Sequence, residues 1–106
     1  MDAFFIKENT ILKKIPYDAV LWIKAEGNYS TVHLENKRFA LKLSLKRVLE
    51  QLPSDQFLQI HRAFIVAIEK VDGIDIANNE LTIGNHKLPI GRSYREDLLN
   101  GINIVK

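Results

Sequence analysis

Residues 17–35 read YDAVLWIKAEGNYSTVHLE, and they decide the fold. A run rich in apolar residues extends from Tyr17 to Glu26, stops at Gly27-Asn28 and resumes at Tyr29 as far as Glu35. Gly and Asn are the residues that most readily take the positive φ of a tight hairpin loop, so the stretch predicts two antiparallel strands. In the second, Ser30, Val32 and Leu34 would face one way and Tyr29, Thr31, His33 and Glu35 the other, the alternation of a strand with one buried face.

The same reading extends outward. Upstream, Phe4 to Lys7 and Thr10 to Ile15 flank Glu8-Asn9 as a further pair of strands. Downstream, Asn36-Lys37 turns the chain into Arg38 to Lys42. Ser44 then caps a helix whose Leu45, Val48, Leu49 and Leu52 recur at i, i+3, i+4 and i+7, and Pro53 ends it. Strands are expected at Phe57 to Ile60 and in the branched run Phe64 to Asp72, which Gly73 interrupts before Ile74 to Ala77. Asn78-Asn79 and Gly84-Asn85 bracket another at Glu80 to Ile83. His86 to Ile90 carries Pro89, which cannot donate to a ladder and so marks an edge strand. Ser93-x-x-Glu96 reads as a capping box opening a short C-terminal helix with Leu98, Leu99 and Ile102 on its inner face. The fold class is mostly β, a β-rich α+β arrangement with one or two short helices.

The 106 residues suit one domain, 1–106, and 46% apolar with 26% charged residues is the composition of a chain that buries a core. There is no cysteine, so neither disulfides nor a thiolate zinc site holds it together. No apolar run exceeds five residues, whereas crossing a bilayer takes about 20. The first residues lack the basic and apolar regions of a secretory signal, and a cytoplasmic setting is expected. A net charge of +2 is too small to argue for nucleic acid by itself.

Catalytic chemistry finds little support. His33, His61 and His86 have no zinc-motif spacing, and no metal or cofactor is expected. His61, in an apolar stretch, reads as a structural histidine hydrogen-bonded to backbone. The glycines form no phosphate-cradling loop, no serine has a nucleophile-elbow context, and the carboxylates are scattered singly, so the chain reads as a non-enzyme. The informative polar residues gather instead at chain reversals: Asn28 and Tyr29, His61-Arg62, and Arg92, Ser93, Tyr94 and Arg95. Arginine pairs bidentately with guanine and asparagine with adenine, while hydroxyls and helix-entry amides hold phosphate. Such residues suit DNA, and they suit solvent equally well.

Four ordered blocks carry a more specific signal: Val20-x-Trp22-Ile23-x-Ala25-Glu26-x-Asn28-Tyr29-Ser30-x-Val32; Ser44-Leu45-Lys46; Phe57-x-Gln59-Ile60-His61-Arg62-x-Phe64-Ile65-Val66; and Leu88-Pro89-Ile90-Gly91-Arg92-x-Tyr94-Arg95. Together they closely resemble the LytTR-type DNA-binding domain, the output module of many bacterial response regulators, over Ile11 to Leu99. The resemblance implies about ten strands in three antiparallel sheets with a small helix, and loops that enter two successive major grooves and the minor groove between them. Carried over, Asn28, Tyr29 and Ser30 form one reading loop and Arg92, Ser93 and Arg95 another, with Arg62 at the intervening groove or backbone. Arg95 is the first choice for a base contact. Lys24, Lys42, Ser44 and Lys46 are weaker backbone candidates, and capping is the favoured role for Ser44. The implied partners are double-stranded DNA with repeated half-sites and a second copy of the chain on that DNA. A longer parent protein would add an N-terminal receiver domain and a sensor kinase; the chain is either an excised domain or a short stand-alone regulator. Where the family often has asparagine after the Phe64-Ile65-Val66 block, this sequence has Ala67. The rival expectation is a sensory or protein-interaction β-module using the same loops on a polypeptide.

Overall fold

Three hairpins close on the short polar loops of the sequence. The computed structural model describes residues 2–106. In it β1 (Ala3–Glu8) pairs with β2 (Ile11–Pro16) around Asn9-Thr10, and β3 (Trp22–Glu26) with β4 (Tyr29–His33) around Gly27-Asn28. β9 (Glu80–Ile83) pairs with β10 (His86–Pro89) around Gly84-Asn85. The first residue of each loop has positive φ, 56° at Asn9, 60° at Gly27 and 57° at Gly84. Gly adopts that conformation freely and Asn at modest cost.

Among the described residues ten strands form three antiparallel sheets, and two short α-helices complete the fold. β1 and β2 stand as a pair. A central sheet has the order β5-β4-β3-β7-β6, with β5 at Arg38–Leu41, β6 at Phe57–His61 and β7 at Phe64–Ala67. A third sheet has the order β10-β9-β8, with β8 at Gly73–Asp75, so the proline-bearing β10 is an edge strand as its missing N–H requires. Helix α1 (Leu45–Glu50) starts where Ser44 accepts a hydrogen bond from the Arg47 amide at 3.2 Å, a cap of the kind worth about 1 kcal/mol. Its Leu45 and Val48 are buried.

The central sheet is covered on both faces. Successive residues of a strand point to opposite sides, so β3 sends Ile23 into a cluster with Val32, Phe39, Ile65, Leu45 and Val48, which Ile6 and Ile15 of the hairpin join. Trp22 enters a second cluster with Ile60, Val66, Leu81, Ile83, Leu88 and Leu98. Ile23, Ile60, Ile65 and Leu81 have no exposed surface, and each contributes about 1.5–3 kcal/mol by leaving water. One residue departs from the alternation expected of β4: Ser30 and Val32 are buried on one face, and Thr31 on the other is buried as well.

Three other expectations change. Gly73 does not interrupt a strand but begins β8, after a short 3-10 turn at Ile68–Lys70 ends the β7 run. The C-terminal helix α2 (Arg92–Asn100) has Gly91 as its N-cap, with no side-chain cap, so Ser93 and Glu96 lie inside the helix and form no capping box. A side chain at Gly91 has little room: an added Cβ would stand 3.0 Å from Tyr94 Cδ2 and 3.5 Å from His61 Cα. Leu98 is the fully buried residue of α2, and Ile102 lies beyond its end. Ala67, where a family asparagine was expected, is buried opposite Phe57 and packs in the first cluster. Among the described residues no helix is long and apolar enough to cross a membrane.

Candidate nucleic-acid interface

The strand registers bring four separate segments to one end of the central sheet. β3 arrives there at Glu26 and β4 leaves from Tyr29, so the Gly27-Asn28 loop caps that end. β7 is antiparallel to β3 with Phe64 opposite Lys24, and the Ala25 amide donates to Ala63 O at 2.8 Å, which sets the His61-Arg62-Ala63 turn alongside. β5 finishes with Leu41 opposite Ser30 and delivers Lys42, Ser44 and Lys46 to the same end. The Gly91 amide donates to Ile60 O at 2.8 Å, so α2 begins beside the β6–β7 turn and brings Arg92, Ser93 and Arg95 with it.

Most of the expected site residues are available to a partner. Asn28, Tyr29, Lys24, Lys42, Ser44, Lys46, Arg62, Arg92 and Ser93 are exposed. Segments 24–30, 42–47, 61–64 and 91–96 hold seven Lys or Arg and two Glu, so this end is more positive than the +2 of the whole chain. Lys24 Nζ lies 5.9 Å from the Phe64 ring centre, a cation–π distance that steadies its stem. His61 has the structural role expected of it: its Nδ1 accepts from the Ala63 amide at 3.0 Å, while Gln59 Nε2 donates to His61 O at 3.1 Å. Together with the register shift between Gln59 and His61, these bonds shape the turn that presents Arg62.

Two residues depart from their expected settings. Ser30 is fully buried and its hydroxyl donates to Leu43 O at 2.7 Å, tying β4 to the segment before α1. Its side chain faces the core, which leaves Asn28 and Tyr29 as the exposed residues of the expected loop. Arg95 is half-buried, and its Nη1 donates to Asn79 Oδ1 at 2.8 Å. Asn79 belongs to the β8–β9 loop, and nothing local in the sequence links it to an arginine 16 positions away.

At the opposite end of β3, Trp22 lies between two imidazoles, stacked with His33 at 4.9 Å and tilted against His86 at 4.7 Å. Burial holds His33 below the usual imidazole pKa; Glu26 pulls the other way, with its Oε1 4.0 Å from Nε2, but does not prevail. His33 is thus neutral near pH 7, and its buried Nε2 has no hydrogen-bond partner among the described residues. The sign of the pH effect follows. The unfolded imidazole takes up a proton near pH 6.5, whereas the folded one resists to a lower pH. The stability from His33 is complete above about pH 6.5 and is lost as the pH falls through its lower folded value. Thermal melts between about pH 7 and pH 5 should show the melting temperature dropping, and more shallowly in His33→Gln. Equal slopes in the two proteins would rule out His33 as the source.

Comparison with known proteins gives one family. The model of the LytTr DNA-binding domain matches residues 11–103. The CO-responsive transcriptional regulator RcoM of Rhodospirillum rubrum is 38% identical over 52 residues, which are 49% of this chain and 22% of that protein. An uncharacterised response regulatory protein of Vibrio cholerae is 34% identical over 64 residues, 57% of this chain and 24% of its own length. The sensory transduction protein LytR of Streptococcus mutans is 27% identical over 97 residues, 88% of this chain and 39% of that one. The chain therefore spans well under half the length of these curated relatives. Among solved structures, the LytTr DNA-binding domain of a Bacillus cereus protein described as a methyl-accepting/DNA response regulator superposes with a TM-score of 0.81 at 24% identity. That match covers 95% of this chain and 96% of the other.

Proposed function

Because this chain belongs to the LytTr DNA-binding domain family, we propose that it binds double-stranded DNA sequence-specifically, through the loops gathered at one end of its central sheet, as the output module of a bacterial transcription regulator. The family is one of DNA-binding domains and not of enzymes, and the proposed mechanism needs no cofactor. The observation that carries it is the convergence of exposed Asn28, Tyr29, Arg62 and Arg92 from three turns onto one basic surface. In this reading Asn28 and Tyr29 enter one major groove and Arg92 and Arg95 the next, with Arg62 at the groove or backbone between them. Ser93, exposed in the first turn of α2, donates to phosphate, as do Lys24, Lys42 and Lys46. Ser44 already caps α1, and that bond supports a structural role for it.

Two relatives carry response-regulatory and sensory-transduction names. The proposal accordingly includes a longer parent protein with an N-terminal receiver domain, controlled by a sensor kinase and working in the cytoplasm. Two copies bind repeated half-sites.

Selection of bound duplexes from a randomised library, at low and physiological salt, tests the reading. A motif repeated at about one helical turn is the expected outcome. On the enriched duplex Arg95→Ala should cost about 1–3 kcal/mol and relax preference at one base pair, as loss of a bidentate guanine contact does. Uniform weakening on every sequence would make Arg95 a phosphate ligand, and no enrichment from a folded protein would favour a polypeptide partner.

A further inference from the structure

The Arg95 side chain is held by a residue remote in sequence, and the holding group is built with some care. A guanidinium only donates hydrogen bonds, so it is the Asn79 carbonyl oxygen that faces Arg95 Nη1, at 2.8 Å and in a partly buried setting. Asn79 itself sits in the left-handed region at φ 50°, which asparagine tolerates better than most residues. Its backbone oxygen accepts from the Ile90 amide at 2.8 Å, just before the Gly91 cap of α2. One residue therefore clamps both the chain entering α2 and the arginine on that helix.

The loop carrying Asn79 is organised before any partner arrives. Asp75 Oδ1 accepts from the Ala77 and Asn78 amides, each at 3.1 Å, and its Oδ2 accepts from Asn78 Nδ2 at 2.8 Å. The Asn78 side-chain amide, followed by its backbone amide, keeps the Asp75 carboxyl below the usual carboxylate range.

We infer that Asn79 is a positioning residue for base readout, fixing the Arg95 fork so that its remaining N–H donors face the groove. A free arginine loses much rotamer freedom when it makes a directed contact. One restrained beforehand loses less, and a wrong base is then poorly accommodated because the fork cannot swing to another acceptor. The inference rests on the proposed reading of Arg95 as a base contact.

The test uses the whole chain and the duplex enriched from the random library. Asn79→Gly removes the amide while keeping the left-handed backbone and the bond to Ile90, so its melting temperature should stay near that of the unsubstituted protein. Its preference at the base pair relaxed by Arg95→Ala should fall by about three- to tenfold, a part of the loss from removing the arginine itself. Arg95→Ala with Asn79→Gly should lose no more than Arg95→Ala alone. Asn79→Asp restores the acceptor and should recover the preference, with a uniform drop in affinity from its added charge near phosphate.

In the absence of DNA, the Arg95 guanidinium N–H signals should be resolved by NMR in the unsubstituted protein and averaged in Asn79→Gly, which tests the restraint itself, while preference at the base pair is the readout that a purely structural role would not move. If Arg95→Ala relaxes a base pair and Asn79→Gly does not, the positioning role falls while the interface reading stands. If Arg95→Ala relaxes none, the reading of Arg95 fails and the inference with it. Tighter binding by Asn79→Gly would mean that Asn79 sequesters the arginine, and would also overturn it.

Discussion

Raising salt from about 50 to about 200 mM is expected to weaken binding to the enriched duplex by about three orders of magnitude. The estimate comes from the cations at one end of the central sheet. Lys24, Lys42, Lys46, Arg62 and Arg92 are exposed there, with Arg95 half-buried beside them. If about six phosphates are neutralised, the released counterions give a log affinity against log salt slope near −5. A fourfold rise in salt then costs about a thousandfold. Fluorescence anisotropy with a labelled duplex across a salt series checks this, and Lys46→Ala should make the slope shallower by about one if that lysine meets a phosphate. A slope near zero would remove DNA as the partner, since a polypeptide ligand has no condensed counterions to release.

The features that were legible in the sequence are those whose cause is local. Gly27-Asn28 and Gly84-Asn85 fold as hairpin loops because positive φ is a property of single residues. Ser44 caps α1 through a bond three residues long. Pro89 lies on an edge because it has no N–H to donate. The features that escaped depend on what packs from elsewhere. Alternation in β4 already puts Ser30 on the face of Val32, and only the family blocks carry it into the loop with Asn28 and Tyr29 as an available residue; it is bonded to Leu43 O. The Ser93-x-x-Glu96 pattern has the spacing of a capping box, yet Gly91 starts the helix two residues before Ser93, where the chain passes close to His61 and Tyr94.

The candidate site divides the same way. Asn28, Tyr29, Arg62, Arg92 and Arg95 were found as polar residues at reversals, and the family blocks put them in order. That they meet at one end is a consequence of strand order, which places β7 beside β3 and joins Gly91 to Ile60. Asn79 was invisible because its role is a contact across 16 positions between two elements with no shared pattern.

Trp22→Ala is expected to cost about 3–5 kcal/mol of stability, the range for truncating a large buried aromatic. Trp22 is 7% exposed and belongs to the cluster that joins the central sheet to the β8–β10 sheet and α2. Truncation leaves a cavity among Val66, Leu81, Leu88 and Leu98 and removes the indole that contacts His33 and His86. For a chain of this size the melting temperature should fall by about 15 °C, measured by far-UV circular dichroism. DNA affinity should follow stability. At a temperature well below its own melting point the variant should still recognise the enriched motif, because Trp22 is buried at the far end of β3 and presents no group to the proposed groove face. Arg95→Ala should show the reverse, with a melting temperature little changed and preference relaxed at one base pair. A drop of under about 5 °C in Trp22→Ala would mean that the second face of the sheet is held by the aliphatic contacts alone, with the two halves of the proposed interface kept in register by the Gly91–Ile60 and Ile90–Asn79 backbone bonds.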